Sequence, residues 1–319
     1  MKKLKKINNN KYLLTKNMMK NIYIYRIINF FNLRYDFTQS TSLIFNSSFN
    51  SNLGIIPDSI THLTFGYRFN YTIDNLTCSI THITFGNDFN QLVNNLPNSL
   101  THITFGYNFN QLVNNLPNSL THITFGHNFN QIVDNLPSFL QNLTFGWNFN
   151  CTVDNLPSLQ NLTFGDDFNC AVDNLPCSIT HLTFGEKFNQ SVDNLPCSLI
   201  YLFFGDDFNC TVDNLPYSIT NLIFGYRFNC TVDNLPCSIT HLTFNYHFRK
   251  STENLPNSIT HLTVNHWFNQ SVDNLPTSLI VIYLTGYPSI FTINMDESFL
   301  SKPTICDKLK KRSIKYIIL

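Results

Sequence analysis

A phrase close to T-H-L-T-F-G-x-x-F-N-x-x-V-D-N-L-P-x-S-L recurs about twelve times between Thr41 and Leu279, almost always every twenty residues. Twenty residues cannot enclose a core of their own, so each copy must bury its apolar face against the copies before and after it. The period therefore predicts a repeat solenoid. Every column of the repeat reports its own place on the turn.

Within Leu100–Leu116, the residues Leu100, Ile103, Phe105, Phe109, Val113 and Leu116 occupy columns that are apolar in nearly every copy. Ile103 and Phe105 alternate with His102 and Thr104, the period of a strand with one face buried. One short strand per turn is expected, with His102 and Thr104 outward. Thirty Phe in 319 residues is extreme, and most fall in the Phe105 and Phe109 columns, which predicts two Phe stacks along the solenoid.

After the strand comes a column of Gly or Asn only, from Asn46 and Gly66 through Gly225 to Asn245 and Asn265. These are the residues that tolerate positive φ, so a left-handed conformation is expected where the chain leaves the sheet. Two Asn columns, one through Asn90 and Asn110 and one through Asn95 and Asn115, are expected to hydrogen-bond turn backbone that no strand satisfies. The mostly acidic column through Asp74, Asp134 and Asp154 should face water, because stacked carboxylates repel. Pro97, Pro117 and their counterparts pre-set φ at a corner. The turn 141–159 is one residue short after Pro157, which a loop should absorb.

The formal net charge of zero conceals segregation. Residues 1–40 carry nine Lys/Arg against Asp36 alone, residues 41–296 five against seventeen acids, and residues 297–319 six against two. An acidic array disfavours nucleic acid, which needs clustered cations to neutralise phosphate. No secretory signal is convincing: the apolar run Ile22–Phe31 is broken by Arg26 and too short to span a bilayer, so an intracellular, cytoplasmic place is favoured. Of nine Cys, Cys210 and Cys230 share one column and Cys177 and Cys197 another, within disulfide range if turns stack. Without an export signal, reduced thiols packed as small residues are expected.

The motifs F-N-Q-L-V-N-N-L-P (Phe109–Pro117) and L-T-H-I-T-F-G (Leu100–Gly106) resemble the FNIP repeat family, which is related to leucine-rich repeats. The resemblance covers about three quarters of the chain. It implies a leucine-rich-repeat-like superhelix with one short parallel β-strand per turn of about twenty residues and little regular helix. Such proteins are known from social amoebae and from giant viruses that infect amoebae. Some members carry an F-box ahead of the repeats, implying a substrate-binding adaptor for ubiquitin ligation; no F-box is recognisable in residues 1–40. The domain reading is a basic N-terminal segment or cap at 1–40, a solenoid at 41–279, and a final strand with a basic C-terminal cap at 280–319. A short amphipathic helix is expected at 17–34, with 289–319 covering the last turn.

Two sets of residues are candidates for function. The first is the outward His column of His62, His82, His102, His122, His181, His241 and His261. Adjacent imidazoles suggest metal or pH sensing, but metal sites converge ligands tetrahedrally and a linear ladder does not. A hydrogen-bonded His/Asn/Thr face is expected, with no metal and no cofactor. The second is the pair of positions after the Gly/Asn column, which varies while its surroundings stay fixed. Aromatic and charged residues there suit a specificity strip. Asp166, Asp167, Glu186, Asp206 and Asp207 read as an acidic block flanked by Trp147 and by Tyr226 with Arg227, suited to a basic partner segment. Drift at tolerant positions gives the same pattern. No singular nucleophile stands beside a singular base, so catalysis is not expected. The chain reads as a non-catalytic protein-binding solenoid, or as a structural repeat protein without a specific ligand.

Overall fold

Each copy of the repeat forms one short strand whose middle residue points inward. In His102–Thr104 that residue is Ile103, buried between part-exposed His102 and Thr104. The structure is a computed structural model that describes residues 5–6, 11–14, 41–74, 76–265, 268, 274–285 and 314–318. The repeats build a parallel β-solenoid of about twelve turns, and no α-helix occurs among the described residues.

The chain divides into two compact units, Met1–Gly165 and Asp166–Leu319. In the first, β1 (Lys5–Lys6) pairs antiparallel with β2 (Lys11–Leu14), and β2 pairs in parallel with β3 (Ser42–Phe45). There follow β4 (His62–Thr64), β5 (His82–Thr84), β6 (His102–Thr104), β7 (His122–Thr124), β8 (Asn142–Thr144) and β9 (Asn161–Thr163), each parallel to its predecessor. The second unit runs through β10 (His181–Thr183), β11 (Tyr201–Phe203), β12 (Asn221–Ile223), β13 (His241–Thr243), β14 (His261–Asn265), β15 (Val281–Thr285) and β16 (Lys315–Ile318), again parallel throughout.

Register follows the repeat, with His102 opposite His122 and Ile103 opposite Ile123. The short turn keeps it: Asn142 still faces Asn161, and the missing residue is taken out of the corner after Pro157. The expected strand at Ile280–Leu284 is β15. Strands β1, β2 and β16 were not legible, because they lie outside the repeat. Neither the helix expected at 17–34 nor most of 289–319 falls within the described residues.

The core is the Phe pair. Phe105 and Phe109 of one turn stack at 3.8 Å, and each continues to the next turn, Phe105 to Phe125 at 5.4 Å and Phe109 to Phe129 at 6.0 Å. The second unit repeats this with Phe184 and Phe188 at 3.7 Å. The two expected stacks are thus one double-width aromatic column. Its rings meet because Phe109 folds back over the turn, where its amide donates to Gly106 O.

The Gly column overturns the expectation of positive φ. Gly54 alone among the described glycines has it, at φ 64, and it stands outside the column. The column is glycine because of close approach: a Cβ on Gly106 would overlap the carbonyl oxygen of Gly86, and one on Gly205 that of Gly185. The Hα in its place makes a Cα–H···O contact with that oxygen. Where Asn stands instead, at the end of the array, the side chain of Asn265 reaches the same atom and donates to Asn245 O at 2.7 Å.

The Asn columns divide their labour. Asn70 Oδ1 accepts from Asn90 N and Asn90 Oδ1 from Asn110 N, both at 2.9 Å, so this column does satisfy turn backbone. The other bonds to side chains: Asn95 donates to Asp74 at 3.2 Å and Asn155 to Asp134 at 3.2 Å. The stacked carboxylates face water, as expected, and each of these also receives an amide from the following turn.

Candidate functional site

The outward sheet face of the first unit is an imidazole ladder. His62, His82, His102 and His122 stack with ring centroids 4.1, 4.2 and 4.0 Å apart. Thr81 Oγ1 donates to Thr61 O at 3.2 Å and lies 2.8 Å from His82 Nδ1; the same pair recurs at Thr101 and Thr121. At the end of the ladder His122 Nε2 lies 2.7 Å from Asn142 Nδ2.

Burial first, and the neighbouring imidazoles second, push His102 down to about 4 and lower His82. Burial and His261 do the same for His241 in the second unit, where the two rings stack at 4.3 Å. At neutral pH His82, His102 and His241 are therefore uncharged. Among the described residues no three His, Cys, Asp or Glu side chains are grouped to hold a metal ion.

The variable strip differs between the units. In the first, Tyr107, His127 and Trp147 stack at 4.3 and 5.6 Å. Beside them Asn148 donates to Asn128 and Asn128 to Asn108, each at 3.1 Å. Trp147, 46 % exposed, therefore ends an aromatic stack. The other seven candidates, Asp166, Asp167, Glu186, Asp206, Asp207, Tyr226 and Arg227, belong to the second unit.

Those seven form no plain acidic block. Lys187 pairs with Asp167 at 2.6 Å and Arg227 with Asp207 at 3.1 Å, so one column alternates in sign and neutralises itself. The hydrogen bond and charge of Asp167 raise the Lys187 pKa. The net negative charge rests on Asp166, Glu186 and Asp206. Asp166 Oδ1 accepts from Glu186 N at 3.4 Å and Asp206 Oδ1 from Tyr226 N at 3.2 Å. Tyr226 stacks on Tyr246 at 4.9 Å. The twenty-residue spacing of 167 with 187 and of 207 with 227 was the signal for these pairs, as it was for the aromatic stack.

The column cysteines are free thiols. Cys210 Sγ donates to Asn189 Oδ1 and Cys230 Sγ to Asn209 O, both at 3.2 Å. Burial raises the pKa of both, which suits packing better than reactivity.

The FNIP repeat model matches ten overlapping segments between residues 52 and 263. The chain belongs to the FNIP repeat family. Among solved structures, this FNIP chain is similar to CroV588, a giant-virus protein described as a novel circular leucine-rich-repeat structure. The two share 44 % identity with a TM-score of 0.74, over 88 % of this chain and 43 % of CroV588. The chain thus spans less than half the length of that relative. Weaker likenesses are YopM from Yersinia enterocolitica and the functional domain of InlJ from Listeria monocytogenes, described as including a cysteine ladder. YopM is 17 % identical over 79 % of this chain and 63 % of its own, with a TM-score of 0.45. InlJ is 12 % identical over 81 % and 72 %, with a TM-score of 0.44. No curated protein matches the chain. Among the described residues no helix is long and apolar enough to cross a membrane.

Proposed function

We propose that the FNIP solenoid is a non-catalytic protein-binding scaffold that reads its partner with the sheet face and the adjoining variable strip. One observation carries this reading. The repeat holds its core, Gly and Asn columns constant while the strip changes turn by turn, presenting exposed Trp147 on one unit and Asp166, Glu186 and Asp206 on the other. On the second unit the partner is a segment rich in Lys or Arg that meets these three carboxylates, with Tyr226 as an aromatic anchor. Lys187 and Arg227 screen Asp167 and Asp207 and so restrict where a cation docks. No specific observation favours a role in ubiquitin ligation, and the segment that would hold its partner, residues 1–40, lies largely outside the described residues.

The test is fluorescence anisotropy with a labelled Lys/Arg–Gly peptide of about twelve residues, at low and at moderate salt. Saturable binding that weakens with salt, and falls at least tenfold in Asp166→Asn/Glu186→Gln/Asp206→Asn, is the expected result. A wild-type chain that ignores the peptide, or a triple variant that binds equally well, would overturn it.

A further inference from the structure

Val93, Val113 and Val133 point into the core of the first unit, so the residues on either side of each turn outward. In most turns this outer pair is a small residue and an acid: Thr72 with Asp74, Thr152 with Asp154, and in the second unit Ser191 with Asp193 or Thr211 with Asp213. Three consecutive turns depart from it. Leu92, Leu112 and Ile132 stand there, 54, 49 and 56 % exposed. In the first two of these turns the acid is also gone, replaced by Asn94 and Asn114.

The aliphatic row has no structural necessity, since Thr72 and Thr152 occupy the same place in turns of the same form. Nor is it a loose surface. Gln91, Gln111 and Gln131 donate to Asn70, Asn90 and Asn110 at 3.0, 3.1 and 3.0 Å, fixing one flank. Asn115 donates to Asn94 at 3.2 Å on the other. The result is a fixed, amide-bordered apolar strip on the order of 300 Å², within the range of the largest patch on a typical monomer, which often serves binding.

We infer that this strip docks an amphipathic helix of a partner protein, with aliphatic side chains in its middle and cationic residues at its ends. Spacing is the first reason. Turns advance about 4.8 Å at the strands and 6.0 Å at the Phe109 and Phe129 rings, placing Leu92 and Ile132 on the order of 10 to 12 Å apart. One helix face offers side chains at i, i+3 or i+4, and i+7, spanning about 10.5 Å at 1.5 Å per residue. An extended strand repeats on one face every ~6.8 Å and falls out of step with the turns. Charge is the second reason. The turns of Leu92 and Leu112 carry Asn94 and Asn114, whereas Asp74 stands one turn before Leu92 and Asp134 in the turn of Ile132, so the middle of the row meets no carboxylate and basic helix ends meet one each.

The test uses the full chain and a labelled, capped helical peptide with Leu at i, i+4 and i+7 and Lys at both ends. Controls are the same peptide with Leu replaced by Ser and a peptide with Leu at every second position. The variant is Leu92→Thr/Leu112→Thr/Ile132→Thr, which installs the residue found in neighbouring turns and should keep the wild-type melting temperature. Saturable binding of the helical peptide by wild type, at least tenfold weaker in the variant and absent with the Ser peptide, is expected. Equal binding by the variant, no binding by wild type, or preference for the alternating peptide overturns the proposal. So does sedimentation showing that wild type self-associates through this strip while the variant does not.

Discussion

The α-carbon of Gly106 sits against the carbonyl oxygen of Gly86, one turn earlier, with no room between them for a methyl group. The obstacle is backbone held in register by the strands on either side, so it cannot swing away as a side chain would.

Gly106→Ala should therefore cost about 3 kcal/mol, the upper end for overpacking. Gly54 is the control, because its φ is 64 but nothing lies within 4 Å of a Cβ there. Gly54→Ala should cost only about 1 kcal/mol of backbone strain. Urea melts of the two variants decide between them: a mild Gly106→Ala beside a severe Gly54→Ala would mean that backbone angle, not close approach, governs.

Phe105 and Phe109 should be energetically coupled. Each is buried, and truncating either to Ala should cost about 3–5 kcal/mol. Because the rings stack at 3.8 Å, the double variant should lose less than the sum of the singles, by about 1 kcal/mol or more. Strict additivity in a double-mutant cycle would contradict the stacked pair.

Acid should weaken the fold through the imidazole ladder. In the unfolded chain a His titrates near 6.5, whereas in the fold His102 is pushed down to about 4 and His82 and His241 are lowered as well. Between these values the unfolded chain binds more protons, so stability present above pH 6.5 is lost as pH falls toward 4. Solvent screening of these part-exposed rings limits the slope to on the order of 0.5 kcal/mol per pH unit. Thermal melts from pH 7 to 4.5 measure it. Replacing His102 by Asn, which the column already uses at Asn142 and Asn161, should flatten the curve; an unchanged slope would remove the ladder as its cause.

Lys187 and Arg227 should matter for binding and hardly at all for stability, since both pairs are exposed. Lys187→Met and Arg227→Met free Asp167 and Asp207, so each variant should bind a cationic peptide several-fold more tightly at low salt with an unchanged melting temperature. Weaker binding would show instead that these cations contact the partner directly.

Much of this was legible along the chain because a repeat writes its own alignment. The alternation around Ile103 located the strand, Pro157 located the shortened corner, and the pairing of 167 with 187 follows from a spacing of twenty. The Gly column shows the limit. Glycine answers two different needs, positive φ and close approach, and the chain alone does not say which; Gly86 O, twenty residues away, supplied the answer. The outer row was missed for a similar reason. Leu92 and Val93 are both aliphatic and adjacent, and only the fold shows one exposed and the other buried.

The repeat alone specifies the solenoid, its strand, its register and its inward columns, because a twenty-residue unit has few ways to bury one apolar face against a copy of itself. What each column does to its neighbour emerges only in the packed fold. It put one glycine against another's carbonyl, merged two Phe stacks into one, lowered the pKa of His82 and His102 chiefly by burial, and balanced Asp167 with Lys187. The Phe rings meet within a turn, but the other contacts run between turns, across residues twenty apart, and exist only once the turns have stacked.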